Sequence, residues 1–161
     1  MGLLAEMKLI FCCFLLVATF LAVDSRATCE IHWSWDAGCD SIIPKIVRQI
    51  NDWRGLGNCD GEKCGYTLKS NSSTKIEAVH ETPEKHYKDD LTFTFKLDDK
   101  PCAVKGYSQS ELWYAVLDYG TNYCNLHNLI IGAGLDKMKG YKENTSNDDC
   151  TQYSSADCDK Y

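Results

Sequence analysis

Positive charge is scarce in this chain, and the scarcity excludes two classes of partner. The 161 residues include 17 lysines and arginines against 23 aspartates and glutamates, which gives a formal net charge of -6. Nucleic acids and anionic membranes are both bound through basic patches. The composition therefore predicts a protein that binds no nucleic acid and, once a leader has been removed, no membrane.

Long hydrophobic runs are also missing, apart from one near the start. Residues 9–23 are almost entirely apolar, but a run of roughly 15 residues is short of the ~20 that a membrane-spanning helix needs. Lys8 precedes the run, and Ser25 and Ala27 place small residues where a signal peptidase requires them. Residues 1–27 are predicted to be a signal peptide of a secreted, extracellular protein. We favour a cut after Ala27, with cuts near Ala22 or Ser25 and an uncleaved membrane anchor as alternatives.

Recognisable catalytic and metal-binding motifs are absent from the sequence. It contains no Cys-x-x-Cys pair, no Gly-x-Ser-x-Gly, no His-Glu-x-x-His and no Asp-x-Asp-x-Asp-Gly loop. We therefore predict no metal, no cofactor and no catalytic residue. Two alternatives stay open: a secreted hydrolase that uses His80 or His86 with a neighbouring carboxylate, and an acidic extracellular-matrix protein whose paired aspartates bind calcium.

Cysteine, by contrast, is abundant and even in number. Cys12 and Cys13 would leave with the leader, and eight cysteines would remain: Cys29, Cys39, Cys59, Cys64, Cys102, Cys124, Cys150 and Cys158. In an oxidising compartment such a set predicts four disulfides, for which about 105 pairings exist. Short separations favour Cys59–Cys64, Cys102–Cys124 and Cys150–Cys158, which leaves Cys29–Cys39, but other pairings stay open.

The periodicity of apolar residues predicts one helix and a series of strands. Residues 42–53 form an amphipathic helix that Asp40 or Ser41 can cap, after an aromatic arm over residues 28–40. Strands are predicted around residues 65–69, 75–82, 91–97, 102–107, 112–119 and 123–131. We therefore predict a disulfide-stapled α+β domain over residues 28–135, with one N-terminal amphipathic helix packed on an antiparallel β-meander. Residues 136–161 are predicted to be a polar, acidic tail tied down by cysteines.

Two kinds of candidate site remain. Trp113, Tyr114, Tyr119 and Tyr123 give the end of the meander an unusual aromatic load, which indicates either a strand covered on both sides or a ligand-binding surface. Asn71-Ser72-Ser73 and Asn144-Thr145-Ser146 match the acceptor pattern for N-glycosylation, so Asn71 and Asn144 are candidate glycosylation sites on surface loops.

The segments HETPEKHYKDDLTFTF and CAVKGYSQSELWYAVLDYGTNYCNLHNLI resemble a family of small secreted, cysteine-rich animal proteins. The resemblance covers Cys29 to about Leu135 and implies no catalytic residue. The order of one helix followed by a meander is also similar to the cystatin and cathelicidin-propeptide class. The Gln-x-Val-x-Gly hairpin and the Pro-Trp pair of inhibitory cystatins are absent, so this similarity implies the fold without peptidase inhibition.

Taken together, these features predict a secreted, non-enzymatic binding protein. Its partner would be an extracellular protein, a peptide or a small apolar ligand.

Overall fold

A computed structural model describes residues 26–57, 59–97 and 100–161 of the chain. Except for Arg26 and Ala27, the predicted signal peptide lies outside the described residues, as does the Asp98-Asp99 pair. In chain order the elements are β1 (Thr28–Trp35), α1 (Cys39–Asp52), β2 (Tyr66–Asn71), β3 (Lys75–Glu81), β4 (Lys88–Lys96), β5 (Cys102–Ser110), α2 (Thr121–Gly132) and β6 (Lys142–Asn144). Short 3₁₀ turns occupy Leu135–Lys137 and Tyr153–Ser155.

The six strands form one antiparallel sheet in the order β2-β3-β4-β5-β1-β6. Strands β2 to β5 are the predicted meander. β1 pairs along its whole length with β5, and three residues of β6 pair with its other edge. The N-terminal strand therefore lies inside the sheet, with a segment from near the C-terminus as its neighbour.

One face of the sheet is buried, as the alternation along the strands predicts. In β4 the buried side chains alternate with exposed or partly exposed ones, and Leu91, Phe93 and Phe95 point into the core. The same alternation in β1 buries Ile31 and Trp33. Because neighbouring strands are in register, these positions combine into a single apolar surface.

Both helices cover this surface. α1 buries Ile42, Ile46 and Ile50 and packs mainly on β2, whereas α2 packs on β5 and β1. The coarse prediction, an α+β fold in which a helix lies on an antiparallel sheet, is confirmed. The prediction that this helix is N-terminal is wrong, because β1 precedes it; Cys29, Ile31, Trp33 and Trp35 alternate with partly exposed residues as in any half-buried strand.

Two predicted strands after β5 are also wrong. Residues 112–119 form an irregular, exposed segment, and residues 123–131 belong to α2. The physical reason lies in the sheet, because β5 is already flanked by β4 and β1 and has no free edge to offer another strand.

The eight described cysteines form four disulfides, Cys29–Cys150, Cys39–Cys102, Cys59–Cys64 and Cys124–Cys158. The Cys59–Cys64 pairing is confirmed, whereas the other three local pairings are wrong. Those three predictions paired cysteines that are close in sequence. In the structure the sheet places β1 beside β5 and the C-terminal region beside β1, so cysteines that are distant in sequence come together. Residues 136–161 also contribute β6 and pack Met138, Tyr141 and Tyr153 against the core, so they are more than a solvated tail.

None of the helices among the described residues is long and apolar enough to cross a membrane.

Candidate ligand-binding cleft

A row of polar side chains crosses the buried face near one end of the sheet. Tyr66, His80, Asp89 and Ser110 are successive cross-strand partners on β2, β3, β4 and β5, and all four are buried. Everywhere else on this face the equivalent rows are mostly apolar. A polar row at the end of a core indicates that this end serves something other than packing.

Asp89 is the charged member of the row. It is 4% exposed, and its carboxylate accepts hydrogen bonds from the Ser110 hydroxyl and from Nδ2 of Asn125, both at 2.7 Å. Burial raises the pKa of Asp89, because the charged form loses its hydration, and these two hydrogen bonds oppose the shift. Both carboxylate oxygens of Asp89 thus have protein partners.

α2 supplies the second layer of this polar end. Asn122, Asn125 and Asn128 are buried along one side of the helix. Nδ2 of Asn122 donates to the Asp118 carboxylate at 2.9 Å, and its Oδ1 accepts a hydrogen bond from the Ser108 hydroxyl. The amides of Asn122 and Asn125 therefore connect the strands to α2 through hydrogen bonds.

An open cleft of about 700 Å³ lies against this end of the sheet. Asp89 and Ser110 lie in its wall, together with three other parts of the chain: most of residues 82–88 but not His86, most of residues 112–121, and Lys160 with Tyr161. Gly61 and Glu62 complete the lining. A cleft of this size with mainly apolar walls and a few polar groups is typical of small-molecule sites.

Residues 112–119 form the apolar wall of the cleft. Leu112, Tyr114, Ala115, Leu117 and Tyr119 line it. Of the nine large apolar side chains that are exposed among the described residues, five lie within residues 113–119. Such a concentration is uncommon on a monomer surface and usually marks a contact site.

The backbone of this wall is fixed although its side chains are exposed. The Ala27 amide donates to the Ala115 carbonyl at 2.5 Å, and the Gln152 side-chain oxygen accepts from the amides of Asp118 and Tyr119. Tyr119 has a φ of 54°, a conformation that non-glycine residues adopt at an energetic disadvantage. The exposed rings are therefore presented by an anchored segment.

Glu62 is the second carboxylate near the polar row. It lies in the loop closed by the Cys59–Cys64 disulfide, and its backbone oxygen is 3.0 Å from Nε2 of the buried His80. Its side-chain Oε2 is buried and has no hydrogen-bond partner within the part of the chain that the structure describes. Burial raises the pKa of Glu62 to about 7, with a smaller contribution from the negative charge of Asp89.

The C-terminal residues close the remaining side of the cleft. Cys158 is bonded to Cys124 of α2, and the Tyr161 carbonyl accepts a hydrogen bond from Nδ2 of Asn128 at 2.7 Å. A Cβ on Gly61 would come within 2.6 Å of the Lys160 carbonyl oxygen. The loop and the C-terminal residues are thus in direct contact, and only glycine fits at that point.

A second polar cluster surrounds Glu143 on β6, away from the cleft. Its carboxylate accepts hydrogen bonds from Trp33 Nε1, His127 Nδ1 and the hydroxyls of Tyr123 and Tyr141, at 2.8 to 2.9 Å. Burial by itself would raise the pKa of Glu143, but these donors, His127 above all, lower it to about 2.

Three of the four predicted ligand-binding aromatics lie at the cleft, and Tyr123 does not. Tyr114 and Tyr119 line the cleft, and Trp113, which is 76% exposed, contacts Tyr114 edge to face beside it. Tyr123 is buried in the Glu143 cluster. The alternative that these aromatics lie on a strand covered on both sides is wrong, because the segment is neither a strand nor covered.

The histidines of the hydrolase alternative occupy different environments. His80 has no exposed surface, and its burial lowers its pKa to about 4. His86 is exposed, and its Nδ1 is 2.7 Å from an oxygen of Glu81. Among the described residues, no group of three or more potential ligands could hold a metal ion.

The candidate glycosylation sites are both exposed. Asn71 ends β2 at the turn into β3, and Asn144 ends β6. Neither lines the cleft.

Sequence reasoning missed Asp89 and Glu62 as site residues. For Asp89 a signal was present, since it shares strand parity with Leu91, Phe93 and Phe95 and so belongs to the buried face. Nothing comparable marks Glu62, whose position depends on the fold of a loop.

No family model, no curated protein and no solved structure matches this chain.

Proposed function

We propose that this protein is a secreted, non-enzymatic binding protein that holds a small, mainly apolar extracellular ligand in the cleft beside residues 112–119. The observation that carries the proposal is the exposed apolar wall, anchored by its backbone, on a cleft of about 700 Å³. Burying that wall against a ligand would remove apolar surface from water, at about 25 cal/mol per Å².

Secretion is supported by the four disulfides, which persist in oxidising compartments. The predicted signal peptide and glycosylation at Asn71 and Asn144 belong to the same proposal. The similarity to the cystatin class also stays a prediction, supported by the succession of α1 and the β2–β5 meander.

A binding role is favoured over hydrolysis because of where the histidines lie. A general base must reach the proton that it abstracts, and His80 has no exposed surface from which to do so. His86 is exposed and its Nδ1 lies 2.7 Å from a Glu81 oxygen, but His86 does not line the cleft, so a ligand held there would not meet this imidazole–carboxylate pair.

The proposal is tested with Nile red, a neutral apolar dye whose emission shifts to the blue in an apolar site. We expect saturable binding to the wild-type protein and at least about fivefold weaker binding to Leu117→Asp, since a charge on the wall opposes apolar contact. Leu97→Asp is the matched control, because Leu97 is 56% exposed and Leu117 is 63% exposed, and Leu97 does not line the cleft. Equal binding by both variants, or no binding at all, would contradict the proposal.

A further inference from the structure

The lysines that line the cleft are exposed, whereas its carboxylates lie deeper, except for the exposed Glu84. The carboxylates of Asp89 and Glu62 are buried or partly buried, whereas the ammonium groups of Lys85, Lys88 and Lys160 belong to exposed residues. Exposed charges are screened by water and salt, while those at depth act in a medium of lower dielectric constant. The inner part of the cleft is therefore negative in character although the rim is mixed.

The two inner carboxylates are not equivalent in hydrogen bonding. Both oxygens of Asp89 are occupied by Ser110 and Asn125. Oε2 of Glu62 is buried and accepts no hydrogen bond from any described residue. A buried acceptor without a partner is energetically unfavourable, and a donor supplied by a ligand would remove that penalty. Of the two inner carboxylates, Glu62 is thus the one whose hydrogen bonding the described residues leave incomplete.

The apolar lining of the cleft is rich in tyrosine. Tyr87, Tyr114 and Tyr119 line it, and each is at least half exposed. The face of an aromatic ring attracts a cation, and carboxylate groups combined with aromatic rings are how proteins recognise organic ammonium ions. This chemistry matches the charge of the inner cleft.

We infer that the ligand is a small organic amine, with one ammonium group that pairs with the Glu62 carboxylate and an apolar or aromatic body that lies against residues 112–119. This inference rests on the proposed function and names the chemical class of its ligand. Asp89 adds negative potential behind Glu62 without binding the ammonium group.

The test uses three probes of nearly equal size and shape: 1-naphthaleneethylamine, 1-naphthaleneethanol and 1-naphthaleneacetate, which are cationic, neutral and anionic. Their dissociation constants are measured by isothermal titration calorimetry at about pH 8. For the wild-type protein we expect the amine to bind at least about tenfold more tightly than the alcohol, because a charge-assisted hydrogen bond is added to the same apolar contact.

Three variants assign the effect to Glu62. In Glu62→Gln the preference for the amine should fall to within about threefold, because the charge is lost and the shape is kept. Glu77→Gln is the matched control, since the Glu77 carboxylate is half exposed and lies outside the cleft, and it should keep the tenfold preference. Lys160→Gln removes a cation whose charge acts on Glu62, so it should increase the preference.

The outcomes separate the inference from the function on which it rests. If the alcohol binds as tightly as the amine and Leu117→Asp weakens both, the cleft binds apolar ligands but the ammonium inference is wrong. Tightest binding of the carboxylate, lost in Lys160→Gln, would instead assign the cleft to anions and overturn the inference. If none of the three probes binds, both the inference and the proposed function fail.

Discussion

At the scale of single residues, the informative groups are two carboxylates whose environments move their pKa values in opposite directions. Glu62 lies near the buried carboxylate of Asp89, and Oε2 of Glu62 itself has no hydrogen-bond partner among the described residues. The pKa of Glu62 is raised to about 7. Glu143 accepts four hydrogen bonds, and its pKa is lowered to about 2. The charged form of Glu62 is therefore destabilised, as is common for binding groups, whereas the charged form of Glu143 is stabilised by its hydrogen bonds and stabilises the fold.

Glu62→Gln should therefore stabilise the protein at high pH. A group whose pKa is raised in the folded state stabilises the fold below its unfolded pKa, about 4.5, and that contribution is lost as the pH rises through about 7. At pH 8 the wild-type protein carries the full penalty, so the variant should gain about 1 to 2 kcal/mol in the free energy of unfolding, after allowance for solvent screening. At pH 4 the two proteins should be equally stable.

Urea denaturation at the two pH values checks this prediction. Burial of the neutral His80 adds a pH dependence of the opposite sign, because its pKa is lowered to about 4 and the stability it contributes declines as the pH falls below about 6.5. The difference between variant and wild type, rather than either curve alone, isolates Glu62. A variant that is less stable than the wild type at pH 8 would show that Glu62 is a structural residue.

Glu143→Gln should destabilise the protein at neutral pH by about 2 kcal/mol, because an amide offers its NH₂ group to donors that need an acceptor. A lowered pKa means that the stabilisation by Glu143 is present above about 4.5 and is lost as the pH falls towards 2. The gap between variant and wild type should therefore narrow in acid.

Thermal denaturation from pH 7 to pH 3 measures this gap. Glu30→Gln is the control, since Glu30 is a partly exposed carboxylate that pairs with Lys105 and His32, and its loss should change stability by less than about 1 kcal/mol. A gap that stays constant across the pH range would mean that the Glu143 cluster acts through packing and not through charge.

At the scale of elements, the helix α1 and the strands β2 to β5 could be predicted because each has its own periodicity. The strand β1 shows the same alternation, but its cluster of His32, Trp33 and Trp35 favoured the prediction of an aromatic arm over that of a strand. The helix α2 could not be recognised, because Asn122, Asn125 and Asn128 are buried at helical spacing and so break the apolar pattern. Residues 112–119 are rich in strand-forming residues, yet whether they pair depends on a free sheet edge, which no local pattern reveals.

The close approach of β1 to β5 gives a test of the sheet. A Cβ on Gly106 of β5 would come within 2.4 Å of the Trp33 ring, so Gly106→Ala should destabilise the protein by about 1 to 3 kcal/mol through overpacking. At Gly57, by contrast, a Cβ would meet no described residue within 4 Å, and Gly57→Ala should be close to neutral. Urea denaturation of both variants measures the difference, and equal stabilities would contradict the packing of Trp33 on Gly106.

The contacts of Ala27 bear on where the proposed signal peptide would be cut. Ala27 has no exposed surface, its carbonyl accepts a hydrogen bond from the Ser110 amide, and its amide holds Ala115 in the cleft wall. A cut after Ala27 would remove all of these contacts, so we expect cleavage upstream, near Ala22 or Ser25, rather than at the site that the sequence favours. Intact-mass measurement and N-terminal sequencing of the protein secreted from eukaryotic cells decide between them. A mature chain that starts at Thr28 would contradict the prediction.

At the scale of the whole molecule, the disulfides determine how the ends of the chain are held. Cys29–Cys150 joins the first strand to the C-terminal region over a separation of 121 residues, whereas Cys59–Cys64 spans 5. Local spacing could find only the short bridge. The long one follows from the insertion of β1 between β5 and β6, which is a property of the complete fold.

This difference in span predicts unequal contributions to stability. In the chain-entropy account, a bridge stabilises by restricting the unfolded chain, by about 5 kcal/mol for a loop as long as Cys29–Cys150 and about 2 kcal/mol for one as short as Cys59–Cys64. The other bridges, Cys39–Cys102 among them, shorten the loop that Cys29–Cys150 closes in the unfolded chain, so replacing both cysteines of a pair with alanine should lower the free energy of unfolding by roughly 2 kcal/mol more for the long bridge. Urea denaturation of the two double variants measures this difference, and peptide mapping under non-reducing conditions confirms that the remaining three bridges are intact.

Ligand binding gives this comparison a second readout. Removal of Cys59–Cys64 releases the loop that carries Glu62, so this variant should lose much of its preference for the naphthyl amine while it loses little stability. Removal of Cys29–Cys150 leaves that loop closed, so the variant should keep the preference at temperatures where it is folded. The opposite result would be a variant without Cys59–Cys64 that loses stability but keeps the preference, and a variant without Cys29–Cys150 that loses the preference. It would mean that the loop stabilises the core and that the ammonium group is recognised elsewhere in the cleft.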